Sequence, residues 1–135
     1  MLDTLKKICD DGGRLLGVSQ ALFEGNPRFI TAIALRFEHL SAVFRAVSDD
    51  DTLVVRLELF VTEPGETIIV IEDGAPWSVC LGFGICWAWR LTNHQGYTDG
   101  VRLEFSDPGK LPPVVIELIV VASAIEVFLV ARDRV

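Results

Sequence analysis

Polar and apolar residues alternate along most of this chain, and the points where the alternation stops divide it into elements. At the start the spacing is helical instead. Leu2, Leu5, Ile8 and Cys9 recur three or four apart, and Gly12-Gly13 after Asp10-Asp11 is a stop signal. From Arg14 onward the period is mostly two. Arg14 to Phe23 reads as a first strand closed by the turn cluster Glu24-Gly25-Asn26-Pro27, and Phe29 to Glu38 reads as a second. Ser41 to Val47 and Thr52 to Val61 flank Ser48-Asp49-Asp50-Asp51, a hairpin loop by composition. On the latter strand Leu53, Val55, Leu57, Leu59 and Val61 share one face, with Arg56 and Glu58 on the other. Glu63-Pro64-Gly65-Glu66 has the form of a type II turn, after which Thr67 to Glu72 returns as a strand. Links this short make four consecutive strands an antiparallel meander, because parallel neighbours need long crossovers.

Asp73-Gly74-Ala75-Pro76 breaks the pattern, and Pro76 suits the first turn of a short helix over Trp77 to Leu81, ended by Gly82. Gly84 to Thr92 and Gly100 to Ser106 read as strands, and Asp107 to Pro113 as a loop. Val114 to Ala131, VVIELIVVASAIEVFLVA, carries only two charges and is long enough to raise the question of a membrane span. On a helix, Glu117 and Glu126 would lie about 180° apart, so no apolar stripe avoids both. The abundance of Val and Ile favours two buried strands broken near Ala122-Ser123-Ala124. The expected architecture is α+β and mostly antiparallel β, a single domain over 1–135. It is a curled sheet, roll or barrel of about eight or nine strands with a short N-terminal helix. Closure would also remove exposed strand edges.

Composition narrows the partners. The 135 residues carry a formal charge of −7, and Lys6-Lys7 is the densest basic group. Such a surface repels phosphate, so nucleic acid and anionic membranes are disfavoured as partners, while a basic protein partner is permitted. Cys9, Cys80 and Cys86 form no CxxC pair, which fits a reducing compartment. The N-terminus, MLDTLKKICDDGG, lacks the apolar run of a signal peptide, so a cytoplasmic location is expected.

Candidate chemistry concentrates in WAWRLTNHQGYTDG, Trp87 to Gly100. Strict alternation puts Phe83, Ile85, Trp87, Trp89 and Leu91 on one face and Gly84, Cys86, Ala88 and Arg90 on the other. With the loop tip near Tyr97, the preferred register sets Trp89 against Phe105 and Arg90 against Glu104, since a two-residue slip would oppose Arg90 and Arg102. WAWRL is thus expected to be a core strand, with Cys86 in close packing. Asn93, Asp99, Gly96 and Gly100 suit a turn. Asn93, His94, Tyr97 and Asp99, with Arg102 or Glu104 at the edge, also form a candidate ligand-binding set. No HExxH, GxSxG or nucleotide-binding glycine loop is present, and no catalytic residue is assigned. Two histidines and three dispersed cysteines lack the paired spacing of a zinc site, so neither a metal nor a cofactor is implied. His39 and Asp49-Asp50-Asp51 read as solvated turns. Glu117 and Glu126, set in apolar strands, must face solvent or find partners among Arg90, Arg102 and Arg132.

Trp77-x-x-Cys80-Leu81-Gly82 followed by WAWRLTNHQGYTDGVRLEF resembles a family of short bacterial proteins described only as a domain of unknown function, mainly over 77–106. The resemblance implies a bacterial, stand-alone, soluble α+β or β-rich protein and assigns no activity, substrate or catalytic residue. Three readings follow. The leading one is a non-enzymatic, acidic protein that acts by binding another, basic protein, as inhibitors and immunity proteins do. Its rival is a small-ligand binder or enzyme with a polar site in the 93–99 loop. The third is a structural homo-oligomer with strands 114–131 at a subunit interface.

Overall fold

The computed structural model describes residues 1–107 and 112–131. One helix, α1 (Leu2–Asp11), precedes nine strands: β1 (Leu15–Phe23), β2 (Ile30–Phe37), β3 (Ser41–Val47), β4 (Thr52–Leu57), β5 (Glu66–Ile71), β6 (Gly84–Thr92), β7 (Thr98–Ser106), β8 (Val114–Val121) and β9 (Ala124–Ala131). The helix expected over 77–81 shrinks to a single 3₁₀ turn, Trp77–Val79, with Pro76 as its N-cap. Of the loop expected over 107–113, residues 108–111 lie outside the described residues, as does Arg132.

The strands form two antiparallel sheets, β4-β3-β2-β1-β5 and β6-β7-β8-β9. Neither sheet is closed into a barrel. Alternate residues of each point into a shared core, where Ile33, Leu35, Phe44 and Leu53 of the first join Leu103, Phe105, Ile116 and Leu118 of the second. β4 and β6 end different sheets, and α1 packs against both, burying Leu5 and Ile8. The helix thus covers a seam that a barrel would have closed with a ladder. The 114–131 segment is the expected pair of strands, but only β8 is largely buried, since β9 buries Ala124 and Ile125 and exposes Phe128, Leu129 and Val130. No described helix is long and apolar enough to cross a membrane.

The meander holds for β1 to β4 but not beyond. Glu63 to Glu66 does make the expected turn, with Gly65 at φ +84° and the Glu66 N–H donating to the Glu63 carbonyl. The strand that follows, however, pairs with β1 at the far end of the sheet. β4 stops at Leu57, four residues short of the expected end, and residues 58–65 cross over the outer face of the first sheet. The shared face expected of Leu53 to Val61 is therefore broken. Leu53 and Val55 are buried, whereas Leu59 is 82% exposed. Phe60 takes the inward place instead, against Ala21, Ala32, Ala34 and Val43, whose small side chains leave room for a crossing chain.

A buried carboxylate fastens this crossover. The Glu66 side chain is only 4% exposed. Arg45 Nη1 donates to its Oε2 at 2.6 Å, Thr31 Oγ1 donates to the same oxygen, and the Glu63 N–H donates to Oε1 at 2.9 Å. Arg45 Nη2 reaches the Val61 carbonyl as well. Burial alone would raise the Glu66 pKa, but the bonds from Thr31, the Glu63 amide and Arg45 outweigh it and hold the carboxyl below the usual range. At the same end of the first sheet, beside the turn from β3 to β4, Ala122 and Ser123 turn between β8 and β9 with φ of 50° and 69°. There the Ser123 N–H donates to Asp51 Oδ1 at 2.8 Å, so Asp51, expected to be solvated, clasps the two sheets together.

Replacing Glu66 by Gln removes the charge while keeping the shape, and should lower unfolding free energy at neutral pH by about 1–3 kcal/mol. Because the folded pKa is depressed, this contribution is present above the ordinary carboxylate range and is lost as pH falls through the lowered value. Urea melts of both proteins from pH 7 to pH 3 should therefore converge at the acid end. A constant gap across that range would contradict the assignment.

Candidate functional site

The hairpin β6–β7 carries all the predicted site residues, and its register differs from the expected one. Ile85 faces Phe105, but Trp87 then faces Glu104, Ala88 faces Leu103, Trp89 faces Arg102 and Arg90 faces Val101. A β-bulge at Cys86, between the Ile85 and Trp87 pairs, supplies the extra residue. One added residue inverts every later side chain. Ile85 and Ala88 consequently pack on the core, while Trp87 and Trp89 lie on the outer face, 63% and 40% exposed. Neither Trp89 with Phe105 nor Arg90 with Glu104 is an observed pair. Cys86 is exposed rather than close-packed, and its thiol donates to Glu104 Oε2 at 3.2 Å.

The tip of the hairpin is a self-contained turn. Asn93 Oδ1 accepts from the N–H groups of Gln95 and Tyr97, and its backbone N–H donates to the Tyr97 carbonyl. Asn93 Nδ2 also reaches Asp99 Oδ2 at 3.5 Å. These bonds give Asn93 and Asp99 structural work, while His94 is exposed at the tip. Gly100 is not a turn residue but a buried member of β7. A Cβ there would stand 2.6 Å from the Leu118 carbonyl oxygen, so only glycine lets β8 approach this closely.

The six candidate residues therefore separate. Arg102 and Glu104 belong to the outer face of the second sheet, away from the turn. There Arg102 Nε donates to Glu117 Oε1 at 2.9 Å and Nη2 donates to the same oxygen, while Glu126 is exposed. These are two of the outcomes expected for acids in apolar strands. Pairing places Trp89, Arg102, Glu117 and Phe128 in one row across all four strands. At about 4.8 Å per strand the row spans about 14 Å. Tyr97 has a different setting. It lines a cleft along the β4 edge with Arg56 and Arg90, and no described acid forms an ion pair with either arginine.

The thiols are poor nucleophiles. Burial raises the Cys80 pKa to about 12. Burial also raises Cys9, aided by Asp10, and raises Cys86, where the Glu104 carboxylate adds to the effect against an opposing bond from Ser106. Among the described residues, no group of three or more His, Cys, Asp or Glu is placed to hold a metal ion. What the site offers is a broad aromatic and charged surface. The alternation alone missed it, because the pattern of β6 does not reveal where the bulge falls. Nothing in the local pattern signals it, because Ala88, which the bulge turns inward opposite Leu103, reads equally well on an outer face.

Acrylamide should quench the fluorescence of Trp87 and Trp89 while leaving Trp77, which is 2% exposed. In Trp87→Phe/Trp89→Phe the remaining emission should be blue-shifted and resistant to quenching. Equal protection of all three tryptophans would restore the bulge-free register.

The chain belongs to a family of unknown function, DUF6334, whose model matches residues 5–134. The likeness thus extends well beyond the 77–106 segment that carries the sequence resemblance. No curated protein and no solved structure matches the chain.

Proposed function

We propose that this protein acts by binding a basic protein partner across the outer face of the second sheet. The observation that carries the reading is the outward placement of Trp87 and Trp89 beside Arg102, Glu117 and Phe128. Tryptophan and arginine are the residue types that dominate binding energy at protein interfaces. Exposed rings of this size are hydrated at a free-energy cost that burial against a partner would relieve. Charge selects the partner. Glu117 balances Arg102 on this face, Glu126 is exposed beside them, and the whole chain carries −7. Lys and Arg from a partner would meet carboxylates and the faces of the indole rings. Association steered in this way slows as salt rises. The exposed thiol of Cys86 suits a reducing compartment such as the cytoplasm.

The test is affinity capture from the native cells on immobilised wild type and on Trp87→Ala/Trp89→Ala. A basic protein should be retained by the wild type, released as salt is raised, and lost from the variant. The variant's thermal midpoint should stay within a few degrees of the wild type, because both rings already face solvent. Equal retention of every captured protein by the two forms would overturn the proposal.

A second reading has its own observation, the cleft of Arg56, Arg90 and Tyr97. Two guanidinium groups and a phenol suit a small anion bearing carboxylate or phosphate. Millimolar citrate or inorganic phosphate should then raise the thermal midpoint of the wild type but not of Arg56→Ala/Arg90→Ala. No difference between the two proteins, or a shift that His94→Ala abolishes and Arg56→Ala/Arg90→Ala does not, would remove the cleft as the site.

A further inference from the structure

β5 is a strand edge that the fold leaves unguarded. It ends the first sheet and, among the described residues, pairs only with β1, without a register shift from Val18↔Ile71 to Phe23↔Glu66. Between Glu66 and Glu72 its sequence is Thr-Ile-Ile-Val-Ile, β-branched throughout and free of charge, proline and glycine. Successive side chains point to opposite faces, yet Ile68, Ile69 and Val70 are all solvent-exposed, Val70 by 66%. The other strand ends differ. β6 has the Cys86 bulge and the packed helix α1, β4 has α1 and Arg56, and β9 carries Glu126. Such charges, bulges and covers are the usual devices that keep sheet edges from pairing, and among the described residues the span Thr67–Ile71 has none of them.

We infer that β5 pairs with β5 of a second copy, antiparallel about a two-fold axis, joining two five-stranded sheets into one. The edge exposes a row of unpaired N–H and C=O groups, and a second copy offers the same row reversed. A two-fold axis perpendicular to the sheet keeps its faces continuous, so it must pass through a residue rather than between two. Centred on Ile69, it would oppose Glu66 and Glu72 twice. Centred on Val70, it would set Ile68 against Glu72 and Thr67 against Asp73. Centred on Ile68, it opposes Ile68 with itself, Thr67 with Ile69 and Glu66 with Val70. Within Glu66–Ile71 this register fills the centre with β-branched contacts and sets one acid, Glu66, against an apolar residue, whereas the Val70 register sets Glu72, which has no described ion-pair partner, against Ile68. It also places Val70, the most exposed of these side chains, beside the aliphatic stem of Glu66, whose carboxylate is already held by Arg45. Two copies of charge −7 repel, so salt strengthens this contact. That is opposite to the salt response of a complex with a basic partner, so the two interactions are separable.

Sedimentation equilibrium of the full chain over a concentration series should show the mass rising from monomer to dimer, with more dimer at high salt. Amide exchange over residues 66–71 should slow in parallel. Ile68→Lys places two ammonium groups on the axis and should give a monomer with an unchanged circular dichroism spectrum. Val70→Lys, which would face Glu66 of the second copy, should remain dimeric. Exchange of the wild-type 66–71 amides that does not depend on concentration, or a monomer mass at every concentration and salt, overturns the inference without any variant. A dimer that survives Ile68→Lys, or one that is lost in Val70→Lys, also overturns it.

Discussion

The dry contact between the inner faces of the two sheets is the interaction on which the other features depend. Phe44, Leu53, Phe105 and Ile116 are buried to about completeness within it, and they come from strands far apart in sequence. Close packing of this kind leaves no room for a residue as large as tryptophan at an arbitrary place. On β6 the layer accepts Ile85 and Ala88, and the bulge at Cys86 is what lets both point inward while the bulky rings between and beyond them point out. The aromatic surface is in this sense a consequence of core packing. It leaves apolar surface in water at a cost that a bound partner would remove, and that connects the fold to the proposed function.

The Glu66 carboxylate has a comparable influence on topology. A two-residue hairpin from β4 would have made β5 its neighbour and left β1 as the sheet edge. Instead the chain crosses the outer face on Phe60 and is fixed there by Arg45, Thr31 and the Glu63 amide. A desolvated carboxylate persists only where its partners are this complete. The crossover therefore moves an uncharged, β-branched strand to the end of the sheet, and its exposed edge is the direct product of that ion pair.

Much of this was legible in the residues, and the division has a physical origin. Strand existence is a local property. Alternation in β4, the Val and Ile content of β8 and β9, and turn residues such as Asn26-Pro27 and Pro64-Gly65 report it directly. The split of 114–131 into two strands was readable for the same reason, as was the need of Glu117 for a partner, met by Arg102. Pairing is not local. The turn at Glu63–Glu66 forms as its composition requires, yet nothing within it says which strand β5 will meet. The bulge at Cys86 is likewise decided by what lies across the sandwich, and a single uncounted residue there turned an expected core strand into a surface. In the candidate site, Asn93 and Asp99 followed turn chemistry, whereas the company of Tyr97 with Arg56 depends on two elements about 40 residues apart in the chain.

The two proposed contacts also constrain one another. The tryptophan face belongs to the second sheet and the β5 edge to the first, so occupation of one does not cover the other. A two-fold axis through Ile68 would present two tryptophan faces in one assembly, each still rimmed by Glu117 and Glu126. Joined in this way, two acidic subunits double the charge that a basic partner meets, and a partner with two binding surfaces would gain from the higher effective concentration of the second site. The self-repulsion that opposes the dimer is the same charge that draws such a partner in. Binding of a basic protein would therefore relieve the repulsion and strengthen the β5 contact, which makes the two interactions cooperative rather than competing.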